Sequence, residues 1–143
     1  MTQGLDSNIL SYALDPAFPE NPKCRKILLE ASAENRLGIN PTVLHETYHT
    51  LVFYQKWVPS EARQRLLTLL QNPYLEFYSQ TRRISQIALD LAARNKLGGR
   101  DALIIANFLA NQVSVLQTND HDLLDLGRVK WKKSGITLHN PLE

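Results

Sequence analysis

A single cysteine, Cys24, stands among the 143 residues. No intrachain disulfide can form, and the chain suits a reducing compartment. Apolar runs are short, as in Ala102-Leu103-Ile104-Ile105-Ala106, far below the roughly 20 residues that span a bilayer. The opening residues, MTQGLDSN, hold no basic stretch followed by an apolar one, so no secretory leader is expected and the expected location is cytoplasmic. Glycine is scarce, and neither a GxGxxG nor a Walker-type loop occurs, which removes nucleotide-phosphate cradling from the candidate functions. The formal net charge is only +2, less than a duplex-coating protein usually carries. The basic residues cluster in Lys23-Arg25-Lys26, Arg82-Arg83 and Arg128-Lys130-Lys132-Lys133. Runs of this kind are most often solvated faces.

The composition, 43% hydrophobic and 21% charged, is that of an ordinary globular domain, and the length fits one domain over 1–143. The periodicity predicts a short first strand ending at Leu5 and a helix over Pro22–Asn35 capped by Asn21. A strand is expected at Leu37-Gly38-Ile39. Asn40 and Pro41 then open a helix reaching Phe53 and Tyr54, which widen its apolar surface and predict burial around much of its circumference. Further helices are expected over Pro59–Gln71, Gln80–Lys96 and Arg100–Asn111, and a short one over Asp120–Leu126. Strands are expected over Tyr74–Tyr78, Val113–Thr118 and Ile136–His139. Strands alternating with helices predict an α/β layer structure with a mainly parallel sheet.

In such sheets the ligand crevice lies beyond the carboxyl ends of the strands. Asp6 and Asp120 fall at two of these ends. Asp101 opens an apolar helix, and Glu46 lies within a helix poor in other polar residues. Each has a structural explanation taken singly: an Asx-turn at Asp6, favourable helix-dipole charges at Asp101 and Asp120, half exposure at Glu46. Converging carboxylates, however, repel one another and take up protons. A hard divalent cation such as Mg²⁺ or Mn²⁺ removes that repulsion, takes oxygen ligands and keeps several waters. Asp122 is a possible fifth ligand, and Arg100 a candidate phosphate contact.

Four segments carry a family resemblance. LDSNILSYALD (5–15), TVLHETYHTL (42–51), GGRDALIIANFL (98–109) and LQTNDHDLLDL (116–126) resemble, in order, the characteristic segments of PIN domains. Within that family the segments resemble toxins of toxin–antitoxin pairs, of the VapC-like kind. The resemblance implies a five-stranded sheet in the order 3-2-1-4-5 flanked by helices, with a helix directly after Asp6, and Mg²⁺- or Mn²⁺-dependent endoribonuclease activity. It carries over Asp6, Glu46, Asp101 and Asp120 as catalytic and metal-binding acids. Thr118 and Asn119 would support the site by hydrogen bonds, and Asn8 would orient Asp6. An RNA substrate, a cognate antitoxin and a homodimer are implied with it.

The same helix carries a competing motif. His45-Glu46-Thr47-Tyr48-His49 matches HExxH, in which two histidines bind Zn²⁺ and the glutamate is the general base of a peptidase. That reading needs a third ligand, for which only Glu61 and Glu76 lie downstream at plausible distances, and it leaves Asp6, Asp101 and Asp120 unused. A non-catalytic RNA- or protein-binding module is the third alternative; all four acidic positions being filled argues against it.

Overall fold

The computed structural model describes residues 1–143. One sheet contains six strands: β1 Thr2–Leu5, β2 Arg36–Ile39, β3 Leu75–Phe77, β4 Val115–Gln117, β5 Arg128–Trp131 and β6 Ser134–His139. The helices are α1 Ser7–Leu14, α2 Asn21–Leu29, α3 Pro41–His49, α4 Pro59–Leu70, α5 Arg82–Asn95, α6 Gly99–Ala110 and α7 His121–Leu124. A π-helical turn, Thr50–Tyr54, continues α3. The order across the sheet is β3-β2-β1-β4-β6-β5. All pairs are parallel except β5 with β6. The winding reverses between β1 and β4, which opens a crevice at their carboxyl ends.

The expected α/β class and mainly parallel sheet are present, with one strand more than the five anticipated. β5 was hidden because two of its four residues, Arg128 and Lys130, read as part of the basic run that continues into Lys132-Lys133. Only Val129 is buried. A charged edge strand of this kind resists pairing with another chain, which explains the composition. The helix expected over Pro22–Asn35 is also shorter. It starts at Asn21 without a side-chain cap and ends at Leu29. Asn21 instead donates its side-chain amide to the carbonyls of Tyr12 and Ala13, at 2.8 and 3.3 Å, closing the end of α1. Past Glu30, a turn in which Ser32 and Asn35 bond each other's backbone takes over.

The core forms where α6 crosses the sheet. Ile104, Ile105, Phe108 and Leu109 are buried there, with Leu5, Leu37, Ile39 and Leu116 from the strands. Each such side chain contributes roughly 1.5–3 kcal/mol of apolar burial. Phe108 sits so close to β1 that a Cβ on Gly4 would lie 3.1 Å from its ring. A glycine there is a packing requirement rather than a turn signal. α5 packs its apolar stripe, Ile84, Ile87, Ala88 and Leu91, against this layer.

α5 ends at Lys96, whose φ of 53° and ψ of 40° are left-handed. Glycine adopts that conformation without the Cβ penalty. Lys96→Gly is therefore expected to raise stability by about 1 kcal/mol, read as a higher urea midpoint with an unchanged m-value.

Candidate metal centre

β1 delivers Asp6 to the crevice, and the local backbone fixes it. The Asp6 amide donates to the Gln117 carbonyl at 2.9 Å, extending the β1–β4 pairing by one residue. Its carboxylate then caps α1, accepting from the Ser7 N–H at 2.8 Å. The other carboxylate oxygen accepts from the Thr118 hydroxyl at 2.7 Å. Both contacts favour the ionised form, but only 5% of the residue is exposed. Burial wins, and with the negative fields of Asp101 and Asp120 it pushes the Asp6 pKa up to about 6.

Thr118 follows β4 and is fully buried. Its hydroxyl also accepts from the Asp120 amide at 3.1 Å, so one side chain sets two acids. Asp120 caps α7, accepting from the amides of Asp122 and Leu123 at 2.9 and 3.4 Å. Asp101 lies in the first turn of α6. Burial raises its pKa, as do the charges of Asp120 and Asp122, while Arg100 opposes them. Asp122 itself is exposed.

Glu46 projects from α3 toward the same space. Its Oε2 accepts from the Arg100 Nε at 2.9 Å. Its Oε1 is buried without a hydrogen-bond partner. Burial raises the Glu46 pKa; Arg100 opposes the rise, and Asp6 and Asp101 add to it. The structure thus turns Arg100, the candidate phosphate contact, onto Glu46. Asn8 likewise makes its hydrogen bond elsewhere than to Asp6. The Asn8 side-chain oxygen accepts from the Asn119 amide at 3.2 Å, tying the start of α1 to the loop after β4. Asn119 bridges onward, its side chain bonding Tyr12 Oη and Asn140 at 3.3 and 3.2 Å.

No group of three or more His, Cys, Asp or Glu side chains is arranged so that it could by itself hold a metal ion. That weighs differently on the two metal readings. A zinc site takes three or four protein ligands, and no third ligand joins His45 and His49. Mg²⁺ dehydrates reluctantly and is held through one or two carboxylates and several waters. An open set of four carboxylates, one with an orphaned buried oxygen, suits such an ion.

Asp15, a buried polar residue, was not foreseen from the sequence, and one aromatic feature was placed wrongly. Asp15, 5% exposed, accepts from the Ala17 amide, Gln55 Nε2 and Trp57 Nε1 at 2.9, 3.0 and 3.0 Å. Burial pushes its pKa up, and the three hydrogen bonds outweigh that and hold it below the usual value. Its role is to tie the loop after α1 to the segment after the π turn. The aromatic feature is the cluster His49–Phe53–Tyr54. Here the expectation of burial is overturned: Phe53 is 57% exposed and Tyr54 70%.

The PIN domain family model matches residues 5–129. No curated protein sequence matches. Among solved structures, VapC20 of Mycobacterium tuberculosis, described as a sarcin–ricin loop cleaving toxin, superposes with a TM-score of 0.73. It is 12% identical, over 87% of this chain and 95% of that one. VapBC2 of Rickettsia felis, bound to a DNA fragment from its promoter, gives 0.69 at 19% identity, covering 98% of both chains. A toxin–antitoxin complex from Klebsiella pneumoniae gives 0.66 at 17% identity, covering 97% of both. At these identities the likeness speaks for the fold.

No helix is long and apolar enough to cross a membrane.

Proposed function

The chain belongs to the PIN domain family, and from that premise we propose that it hydrolyses RNA phosphodiester bonds as an Mg²⁺- or Mn²⁺-dependent endoribonuclease, the toxin of a toxin–antitoxin pair. The single observation that carries the reading is the placing of buried Asp6, with Asp101 and Glu46 beside it, at the crevice, where Glu46 Oε1 is buried without a partner. Burial and the charge of neighbouring acids push all three pKa values up. A protein gains no stability from that arrangement, and a divalent cation relieves it.

Asp6 and Asp101 are the principal ligands in this reading, with Glu46 and Asp120 completing the shell directly or through water. A bound cation would supply positive charge to the phosphate and lower the pKa of a water. The chain's own residues do the rest. Thr118 fixes the angle of Asp6, and the α1 N-terminus restrains its other oxygen. Glu46 Oε1, buried and unpartnered, is placed to accept a proton, and its raised pKa makes it a better base than an exposed glutamate. Arg100, 71% exposed at its side chain, holds Glu46 until substrate phosphate competes for the guanidinium.

The antitoxin and a homodimer belong to the same proposal. The antitoxin is supported by two of the solved structures of like fold being toxin–antitoxin assemblies; the homodimer rests on the family resemblance alone. The experiment is cleavage of total cellular RNA by purified protein, with Mg²⁺, with Mn²⁺ and with chelator. Cleavage is expected with either ion, and none is expected in chelator or for Asp101→Asn. Expression of the wild type should arrest growth, and Asp101→Asn should not. Metal-independent cleavage, or an active Asp101→Asn protein, would sink the reading.

A further inference from the structure

The hydrolytic reading uses Glu46 but leaves unexplained the histidines on either side of it and the exposed aromatics that follow. His45 and His49 lie one turn apart on α3, both exposed. With Glu46, Tyr54 and Arg100 they line one cleft of about 450 Å³.

The π turn creates this cleft's wall. In an α-helix residues advance about 100° each, so the residue five after His49 points well away from it. A π turn bonds i to i+5, as the Gln55 amide does to the Thr50 carbonyl at 3.0 Å. The wider turn brings Tyr54 back over His49, with ring centroids 5.6 Å apart and an interplanar angle of 69°. Phe53 also packs on His49, with ring centroids 4.8 Å apart. Single π turns inside helices are frequent at functional sites.

The cleft is polar apart from Tyr54, which does not suit an apolar helix of a protein partner. A flat aromatic face, ring nitrogens and a guanidinium beside a phosphodiester-hydrolysing centre suit an unpaired nucleotide. Unpaired bases stack on aromatic side chains and present their edges to polar groups.

On the ribonuclease reading above, we propose that Tyr54, braced by His49 and Phe53, is the stacking platform for an unpaired RNA base flanking the cleaved phosphate. His45 faces the edge of that base, and Arg100 takes the neighbouring phosphate.

The test measures binding of a short fluorescein-labelled single-stranded RNA in chelator, and its cleavage in Mg²⁺ or Mn²⁺, for wild type, Tyr54→Ala and Tyr54→Phe. Tyr54 is exposed, and equal melting temperatures check that the variants fold. Tyr54→Ala is expected to weaken binding by about tenfold and to raise KM by a similar factor at nearly unchanged kcat. Tyr54→Phe is expected to match the wild type. An alanine variant that binds like the wild type overturns the proposal, and so does a wild type that binds no single-stranded RNA. If Tyr54→Ala alters the sedimenting mass and not RNA affinity, the aromatics are covered by protein and the proposal also fails. Should the wild type bind RNA yet cleave none with any ion, the ribonuclease reading falls while the binding comparison still decides the platform.

Discussion

Asp6→Asn is expected to lower metal-dependent RNA cleavage at least about a hundredfold while leaving the fold intact. The substitution is nearly isosteric. Asparagine retains a carbonyl oxygen for the Ser7 N–H, so the α1 cap survives. Its amide can donate to the Thr118 hydroxyl, which now accepts where it donated. What is lost is one negative charge at the place where the sheet's winding reverses. Asp6 is the most enclosed of the four acids and the only one restrained on both oxygens, so no neighbour can swing in to replace it. The wild-type pH profile should carry the same signature. With a pKa near 6, Asp6 takes up a proton as the pH falls, and a protonated carboxyl competes poorly as a ligand. The acid limb of cleavage should therefore lie no higher than about pH 6, lower where the cation binds tightly. Residual activity of Asp6→Asn should lack that limb. Assays of kcat/KM across pH check both. An Asp6→Asn protein with wild-type activity would remove the metal centre as described.

Much of the fold was readable because the elements obey simple periodicity. α5 and α6 matched their expected spans within a few residues, since Ile84, Ile87, Ala88 and Leu91 form one stripe and α6 is apolar almost throughout. The failures were local and physical. α1 was reached only through the resemblance, because its cap is the functional acid itself, and the same Asp6 also read as an Asx-turn. β5 looked like a basic run because an edge strand exposes most of what it carries. The π turn has no simple sequence signature, so Phe53 and Tyr54 were assigned to a buried α-helical face that the wider turn rotates into solvent.

The candidate site divides in the same way. Spacing could place Asp6 and Asp120 at strand ends, because in a parallel sheet those ends share one edge. It could not say which side chains would pair. Asn8 was expected on Asp6 and instead holds the Asn119 amide. Arg100 was expected as a phosphate contact, and its bond to Glu46 was not foreseen. Both choices depend on side-chain directions across elements more than fifty residues apart in sequence. The HExxH spacing was a true match to a pattern without the third ligand that gives the pattern meaning.

Without metal, the same Asp6→Asn substitution is expected to stabilise the protein at pH 7 by roughly 3 kcal/mol. The Asp6 pKa rises from 3.8 in its ordinary state to about 6 in the fold. The folded state therefore holds the Asp6 proton more tightly than the unfolded chain. Below about pH 4 both states are protonated and the residue contributes no difference. As the pH rises from 4 to 6 the unfolded chain ionises first, and folding loses up to about 1.4 kcal/mol per pH unit. Above pH 6 the full penalty of a buried charge is present and constant. Asparagine does not titrate, so its advantage should exist above pH 6 and shrink to nothing toward pH 4. Urea unfolding of both proteins in chelator at several pH values measures the gap. An Asp6→Asn protein less stable than wild type at pH 7 would mean that hydrogen bonding, not burial, governs this carboxylate. Adding Mg²⁺ should then raise the wild type alone, since only its folded state offers the complete acid set. A residue whose removal strengthens the empty protein and silences the loaded one is held in place by its chemistry, because folding alone would discard it.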